Sequence, residues 1–345
     1  MSSKRSDQLS YAPEKPFNYI NKAPAMQAFT ACFLLQISAF AKVLENPPPL
    51  CYNNRIIRTH EEKKMTEIRK KTLTGERALF FARDMKIINC TFCDGESPLK
   101  ESCDIQLTDS EFGWKYPLWY SKNATLEKCR FTPTARAGVW YTKCVRFTDC
   151  VIEAPKTFRR SSDIILENVE MPDAAETLWN CTDVTLKNVT ANGAYFGMNC
   201  QKVTADSLII NGDYCFDGAR DITVRNSRLM SKDSFWNSKN VTVYNSYISG
   251  EYLGWNSENL TFIDCTLESL QGLCYIKNLK LVNCRLINTT LAFEYSTVEA
   301  DICGGVDSIK NPLGGNITAD SIGELILEAD KVDVSKTLIS CKESA

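Results

Sequence analysis

The sequence predicts an all-β solenoid: a right-handed parallel β-helix of about twelve coils, each 19–21 residues long. Three observations predict it. A motif whose clearest form is Asn259-Leu-Thr-Phe-Ile-Asp-Cys265-Thr-Leu267 returns at nearly constant spacing between residues 85 and 303. Inside each return apolar residues alternate, as a half-buried strand requires. An Asn or Asp then precedes a small residue, as a tight bend requires.

With Cys265 as marker, the aligned positions are Cys90, Ser110, Cys129, Cys150, Val169, Val189, Leu208, Ser227, Ser246, Cys265, Cys284 and Cys303. The gaps are 20, 19, 21, 19 and 20, then 19 six times. Each repeat opens on a short strand such as Val241-Thr-Val243, Leu260-Thr-Phe262 or Leu279-Lys-Leu281. The bend follows at Asn89, Asp109, Asp149, Asn168, Asn188, Asn226, Asn245, Asp264 and Asn283. Asn and Asp tolerate left-handed backbone and bond to nearby main chain, which suits them to this place. A second strand comes next (Ser246-Tyr-Ile248, Cys284-Arg-Leu286), then a variable corner and a third stretch ending in small residues and Asn. Inward residues of successive coils are expected to stack into ladders, with Asn stacked at the bend. Segment 304–345 reads as a C-terminal cap.

A leucine-rich-repeat solenoid is the alternative, because Leu260 to Leu267 mimics its core pattern. Against it, Ser238, Ser257 and Cys181 stand where a leucine is expected, and the other half-repeat carries Trp, Gly, Asn and Tyr instead of helix formers.

The repeated Asn-Val-Thr-x-x-Asn-Ser/Cys-x-Ile/Leu pattern resembles the parallel β-helices of the pectin-lyase-like group. The start at Thr74-Gly-Glu-Arg-Ala-Leu-Phe80 and the tail from Val306 through Gly314-Gly-Asn-Ile-Thr to Leu327 resemble a bacterial family known only as domain of unknown function 3737. The resemblance covers residues 65–345, implies the fold, and carries over no catalytic residues.

Residues 1–64 lie outside the repeat and are expected to form a poorly ordered extension. The apolar stretch 28–41 ends Ala39-Phe40-Ala41, like a signal cleavage site, but too many residues precede it for a usual signal peptide. With Thr30 and Gln36 inside, it is also too short for a membrane span. A cytoplasmic protein is therefore expected, export through 28–41 being the alternative. A formal net charge of −2 gives no global basic field, so no nucleic-acid partner is expected. Six of the sixteen cysteines share the marker column with Ser, Val and Leu, so they read as reduced packing residues. Cys90 and Cys93 sit on a strand without a Cys/His cluster; no metal or cofactor is expected.

Ten residues before each marker lies a column reading Trp119, Trp140, Arg159, Trp179, Met198, Asp217, Trp236, Trp255, Cys274 and Phe293. It holds five of the six tryptophans, so their placement is not chance. The column one residue earlier (Leu118, Val139, Phe158, Leu178, Gly197, Phe216, Phe235, Gly254, Leu273, Ala292) is the better core list. If that column points inward, alternation points the Trp column outward. Trp119, Trp140, Trp179, Trp236, Trp255, Arg159 and Asp217 are then the candidate ligand-binding residues, a platform for a glycan or other extended ligand. Small residues two positions later (Ser121, Thr142, Ser161, Cys181, Cys200, Ala219, Ser238, Ser257) support the opposite, inward reading.

No catalytic constellation emerges. The one histidine, His60, lies in the extension. Asp213, Asp217 and Asp221 with Arg220 and Arg225, and Asp233 with Glu251, are the nearest acidic clusters. Asp221 is expected at an ordinary bend. The sequons at Asn123, Asn180, Asn188, Asn240, Asn259, Asn288 and Asn316 follow from the bend-then-Thr repeat and read as structural. A noncatalytic binding or scaffold role is the leading functional reading. The alternatives are a carbohydrate-active lyase or hydrolase with an atypical acid/base set, and a solenoid that associates with a second copy.

Overall fold

A computed structural model describes residues 65–342; the extension 1–64, with the 28–41 stretch and His60, lies outside the described residues. The described residues form a parallel β-solenoid. Its principal ladder runs through fifteen strands, from Thr66–Arg69 to Thr337–Cys341, every pairing parallel. The short 3-10 turn Val334–Lys336 is the only helix among the described residues, which removes the leucine-rich-repeat alternative.

Strand register reproduces the sequence spacing coil by coil. Met85 pairs with Ile105, Ile105 with Ala124, Ala124 with Val145 and Val145 with Ile164, separations of 20, 19, 21 and 19 residues. The insertion in the 21-residue coil falls at the variable corner between Phe131 and Val139. Three coils escaped the repeat. Thr66–Arg69 precedes it, and the tail read as a cap adds two more strands, Gly314–Ala319 and Thr337–Cys341. Their separations, 17 residues from Val298 to Gly315 and 22 from Gly315 to Thr337, lie outside the 19–21 window that made the others visible.

Every expected bend residue has positive φ, from 42° at Asn245 to 55° at Asn168. A second left-handed column stands at the start of the first strand, including Asp221, Asn240, Asn259 and Asn278. Side chains bond along both columns: Asn240 donates to Asp221 (2.8 Å), Asn259 to Asn240 (2.9 Å), Asn278 to Asn259 (2.7 Å), and Asn245 to Asn226 (2.8 Å). These ladders are exposed, not inward as expected. The left-handed residue turns its side chain out while its main chain makes the corner. Sequon residues Asn123, Asn188, Asn240, Asn259, Asn288 and Asn316 all donate to the preceding coil, which accounts for six of the seven sequons as structure.

The interior is one continuous apolar column. Nine phenylalanines, from Phe112 to Phe293, have under 2% of their surface exposed, and each such ring stabilises the fold by about 2–3 kcal/mol through burial. Marker thiols are buried beside them and donate to main-chain carbonyls, as Cys265 does to the Ile263 oxygen at 3.3 Å. Small inward hydroxyls do the same across coils: Ser238 donates to the Phe216 oxygen (2.7 Å) and Ser257 to the Phe235 oxygen (2.6 Å). These inward thiols and hydroxyls thus keep partners.

At the C-terminal end the marker alignment slips. A bulge opposite residues 268–270 adds one residue to the next coil. Farther along, a second irregularity between Leu281 and Cys284 pairs Cys284 with Ile302, so that Ile302, fully buried, takes the marker place and Cys303 moves outward.

Candidate functional site

Seen along the third face, the core list is inward: Leu118, Val139, Phe158, Leu178, Phe216, Phe235 and Leu273 are at most 1% exposed. The tryptophans one residue later are half-buried and turned outward. The small residues two positions later are nonetheless inward, because the residue between them is left-handed. Asn237, after Trp236, has φ +54°, and this turn returns Ser238 to the core where strict alternation would have expelled it. Both sequence arguments therefore held locally.

The outward column is a stack. Trp119 and Trp140 lie parallel, 5.3 Å apart and 9° between planes. Arg159 continues the stack, its guanidinium 4.7 Å from the Trp140 ring and 4.5 Å from that of Trp179. Glu176 holds the same guanidinium at 3.2 Å and Lys156 at 3.1 Å. The indole N–H groups of Trp119, Trp140 and Trp179 donate to the Ala137, Lys156 and Tyr195 carbonyls of the following coil. Ring faces are thus largely covered by ladder neighbours, and edges point to solvent. This differs from the expected platform of open faces, and the cause is coil spacing: at about 4.8 Å, adjacent planar groups in one column must stack.

The stack stops at Trp179 and resumes at Trp236, which lies 5.9 Å from Trp255. Met198 and Asp217 occupy the two coils between, both half-buried. At the far end Cys274 and Phe293, placed in the column by spacing, are buried; Tyr275 and Tyr295 form the outer pair there, 5.3 Å apart. The bulge after Glu268 displaces Phe293 into the core register.

A neighbouring column was missed in the sequence. Three residues before each Trp-column member stands another left-handed residue: Tyr116, Ala137, Lys156, Glu176, Tyr195, Tyr214, Asp233 and Tyr252, all with φ between 53° and 62°. Its signal is faint because it is not an Asn/Asp column. Tyr195 and Tyr214 stack in it at 4.7 Å. Asp233 is next, 2% exposed, and its Oδ1 has no hydrogen-bond partner.

Asp233 and Asp217 come from adjacent coils and stand at the break in the Trp stack, close enough for the Asp217 charge to be felt at Asp233. Burial pushes the Asp233 carboxyl up to about 6; Lys232 opposes this, while Asp213, Glu251 and Asp217 add to it. Burial also raises Asp217, against a weak hydrogen bond from Asn237 at 3.4 Å. The two acidic clusters of the sequence are therefore partly one. Asp213 and Asp217 join Asp233 and Glu251, whereas Asp221 serves the bend ladder and Arg225 stacks on Tyr244 at 3.8 Å. No three His, Cys, Asp or Glu side chains among the described residues are arranged to hold a metal ion. A separate open groove of about 570 Å³ on another face is lined by Ser207, Ile209, Asn226, Arg228, Tyr247 and Asp264. There Arg228 lies over the Tyr247 ring, and Asn226 and Asn245 serve the bend ladder.

Residues 66–340 match the model of a family described as protein of unknown function (DUF3737), and the chain belongs to that family. No curated protein matches its sequence. Among solved structures, it is similar to the A-module of the Azotobacter vinelandii mannuronan C-5 epimerase AlgE4, at 11% identity over 81% of this chain and 89% of that one, with a TM-score of 0.33. It is also similar to a variant of the periplasmic alginate epimerase AlgG (8% identity, 80% and 75% covered, TM-score 0.27) and to the fluoroquinolone resistance protein QnrB1 (11%, 65% and 92%, TM-score 0.19). No helix among the described residues is long and apolar enough to cross a membrane.

Proposed function

We propose that this member of the DUF3737 family is a noncatalytic binding protein that takes an extended glycan across its Trp-bearing face, centred on the break between Trp179 and Trp236. The observation that carries this reading is the interruption itself. Within the Trp column, stacking covers Trp140 on both sides, by Trp119 and Arg159, but covers Trp179 and Trp236 on one side each. Aromatic groups beside polar hydrogen-bonding side chains are what sugar rings require, since each ring has an apolar face and a hydroxyl rim. Binding of oligosaccharides to the full chain should quench indole fluorescence. Trp236→Ala should weaken that binding at least tenfold, and Trp119→Ala, at the distal end of the stack, should weaken it less. Equal loss from both variants, or no response to any oligosaccharide, overturns the reading.

The raised Asp217 and Asp233 carboxyls favour a second reading, a carbohydrate-active enzyme in which one carboxyl holds a proton near neutral pH. Release of new reducing or unsaturated ends from a bound oligosaccharide, abolished by Asp233→Asn, would select it. A concentration-dependent increase in mass without any glycan response would instead favour association between copies. Buried thiols of consecutive coils touch at Cys129–Cys150 and Cys265–Cys284, which supports a reducing, cytoplasmic location.

A further inference from the structure

Among the described residues, four carboxylates gather where the Trp stack is broken: Asp213, Asp217, Asp233 and Glu251. One cation stands with them. Lys232 reaches Glu251 at 3.3 Å, and its ammonium lies 5.5 Å from the Tyr252 ring. Lys232 is therefore engaged at the outer edge, with 43% of its side chain exposed; its charge acts on Asp233 without forming an ion pair with it, and Asp217 has no ion pair either. Asp233 is buried, and its Oδ1 accepts no hydrogen bond. A buried carboxylate oxygen without a donor is costly, and such a group persists where something completes it. The nearby rings of Tyr214, Trp236 and Tyr252 add negative π-faces to the negative charge.

We infer that the break in the Trp stack selects a cationic glycan, a chain of amino sugars with free ammonium groups, with the unpartnered Asp233 carboxylate and Asp217 receiving one ammonium. The inference rests on the glycan reading above and names its ligand class. An ammonium supplies three N–H donors and a positive charge at once, meeting both deficits of the site. A uronate chain would bring further carboxylates against four already present, and like charges so placed repel. A neutral, N-acetylated chain would offer the same ring faces without the charge.

The test is titration calorimetry on the full chain at pH 7 with glucosamine oligosaccharides, their N-acetylated counterparts and an oligouronate of equal length. The expected result is binding of the glucosamine oligomer at least tenfold tighter than the N-acetylated one, with no binding of the oligouronate. The preference should shrink as salt is raised. Asp233→Asn and Asp217→Asn, both near-isosteric, should bring the glucosamine oligomer down to the level of its N-acetylated counterpart. Equal or tighter binding of the N-acetylated or uronate chain overturns the cationic inference and leaves the glycan reading standing. Binding of no oligosaccharide by protein with its native circular dichroism overturns both.

Discussion

The stretch from Trp119 to Trp179 and the stretch from Met198 to Trp236 use the same backbone and differ in what stands on it. In the first, each outward planar group covers its neighbour, each indole N–H finds a carbonyl, and Arg159, although its Nε is buried without an acceptor, is bracketed by two rings and has its charge met by Glu176. In the second, Met198 and Asp217 replace the planar groups and Asp233 is buried without a donor. A solenoid makes this contrast sharp, because equal coils place equal demands on each column position. A position that departs from its column loses the local stability that its neighbours retain, and such departures concentrate at functional sites.

Three substitutions break or sharpen the contrast. Trp140→Ala removes two stacking contacts and a hydrogen bond from the complete stretch, and should lower stability by about 3–4 kcal/mol, read from chemical denaturation. A loss below about 1 kcal/mol would mean that the stack is ornamental to the fold. Asp233→Asn acts in the opposite direction at the break. The folded-state carboxyl titrates at about 6, above the ordinary value near 4, so the folded protein holds the extra proton between those two pH values. The cost of the buried charge is fully present above about pH 6 and fades as pH falls towards 4. Asp233→Asn should therefore stabilise on the order of 2–3 kcal/mol at pH 7 and make little difference at pH 4. A pH-independent difference would remove the charge from the explanation. The smallest effect is expected from Arg159→Lys, which keeps the charge near Glu176 but loses the planar surface between Trp140 and Trp179; about 1 kcal/mol should be lost. A change in the Trp179 emission spectrum should accompany it, and an unchanged spectrum would deny the sandwich.

How much of this was legible follows from where the information lies. The coils between Met85 and Val298 were readable because marker, bend and core residues recur within single repeats. The coils at Gly314 and Thr337 were not, since separations of 17 and 22 residues hide them from the period, and the coil at Thr66 keeps the 19-residue spacing but carries Lys70 and Lys71 where the others have the bend residue and the marker. The Trp column was legible as a column. Its contradictory companions, inward Phe235 and inward Ser238 on either side of Trp236 and Asn237, were reconciled only by the left-handed Asn237. Asp217 and Asp233 were each noticed, but in different clusters, because they lie sixteen residues apart, on different columns of successive coils.

By itself, the sequence determined the solenoid, its coil length, its bend residues and the identity of its buried face. All of these are properties of one repeat, and repetition amplifies them until they stand clear of noise. Only the tertiary structure decided that the tryptophans present edges more than faces, and that Asp233 sits unpartnered beside Asp217. Those are relations between coils, set by a rise of about 4.8 Å and by a left-handed turn that carries no hydrophobic signal.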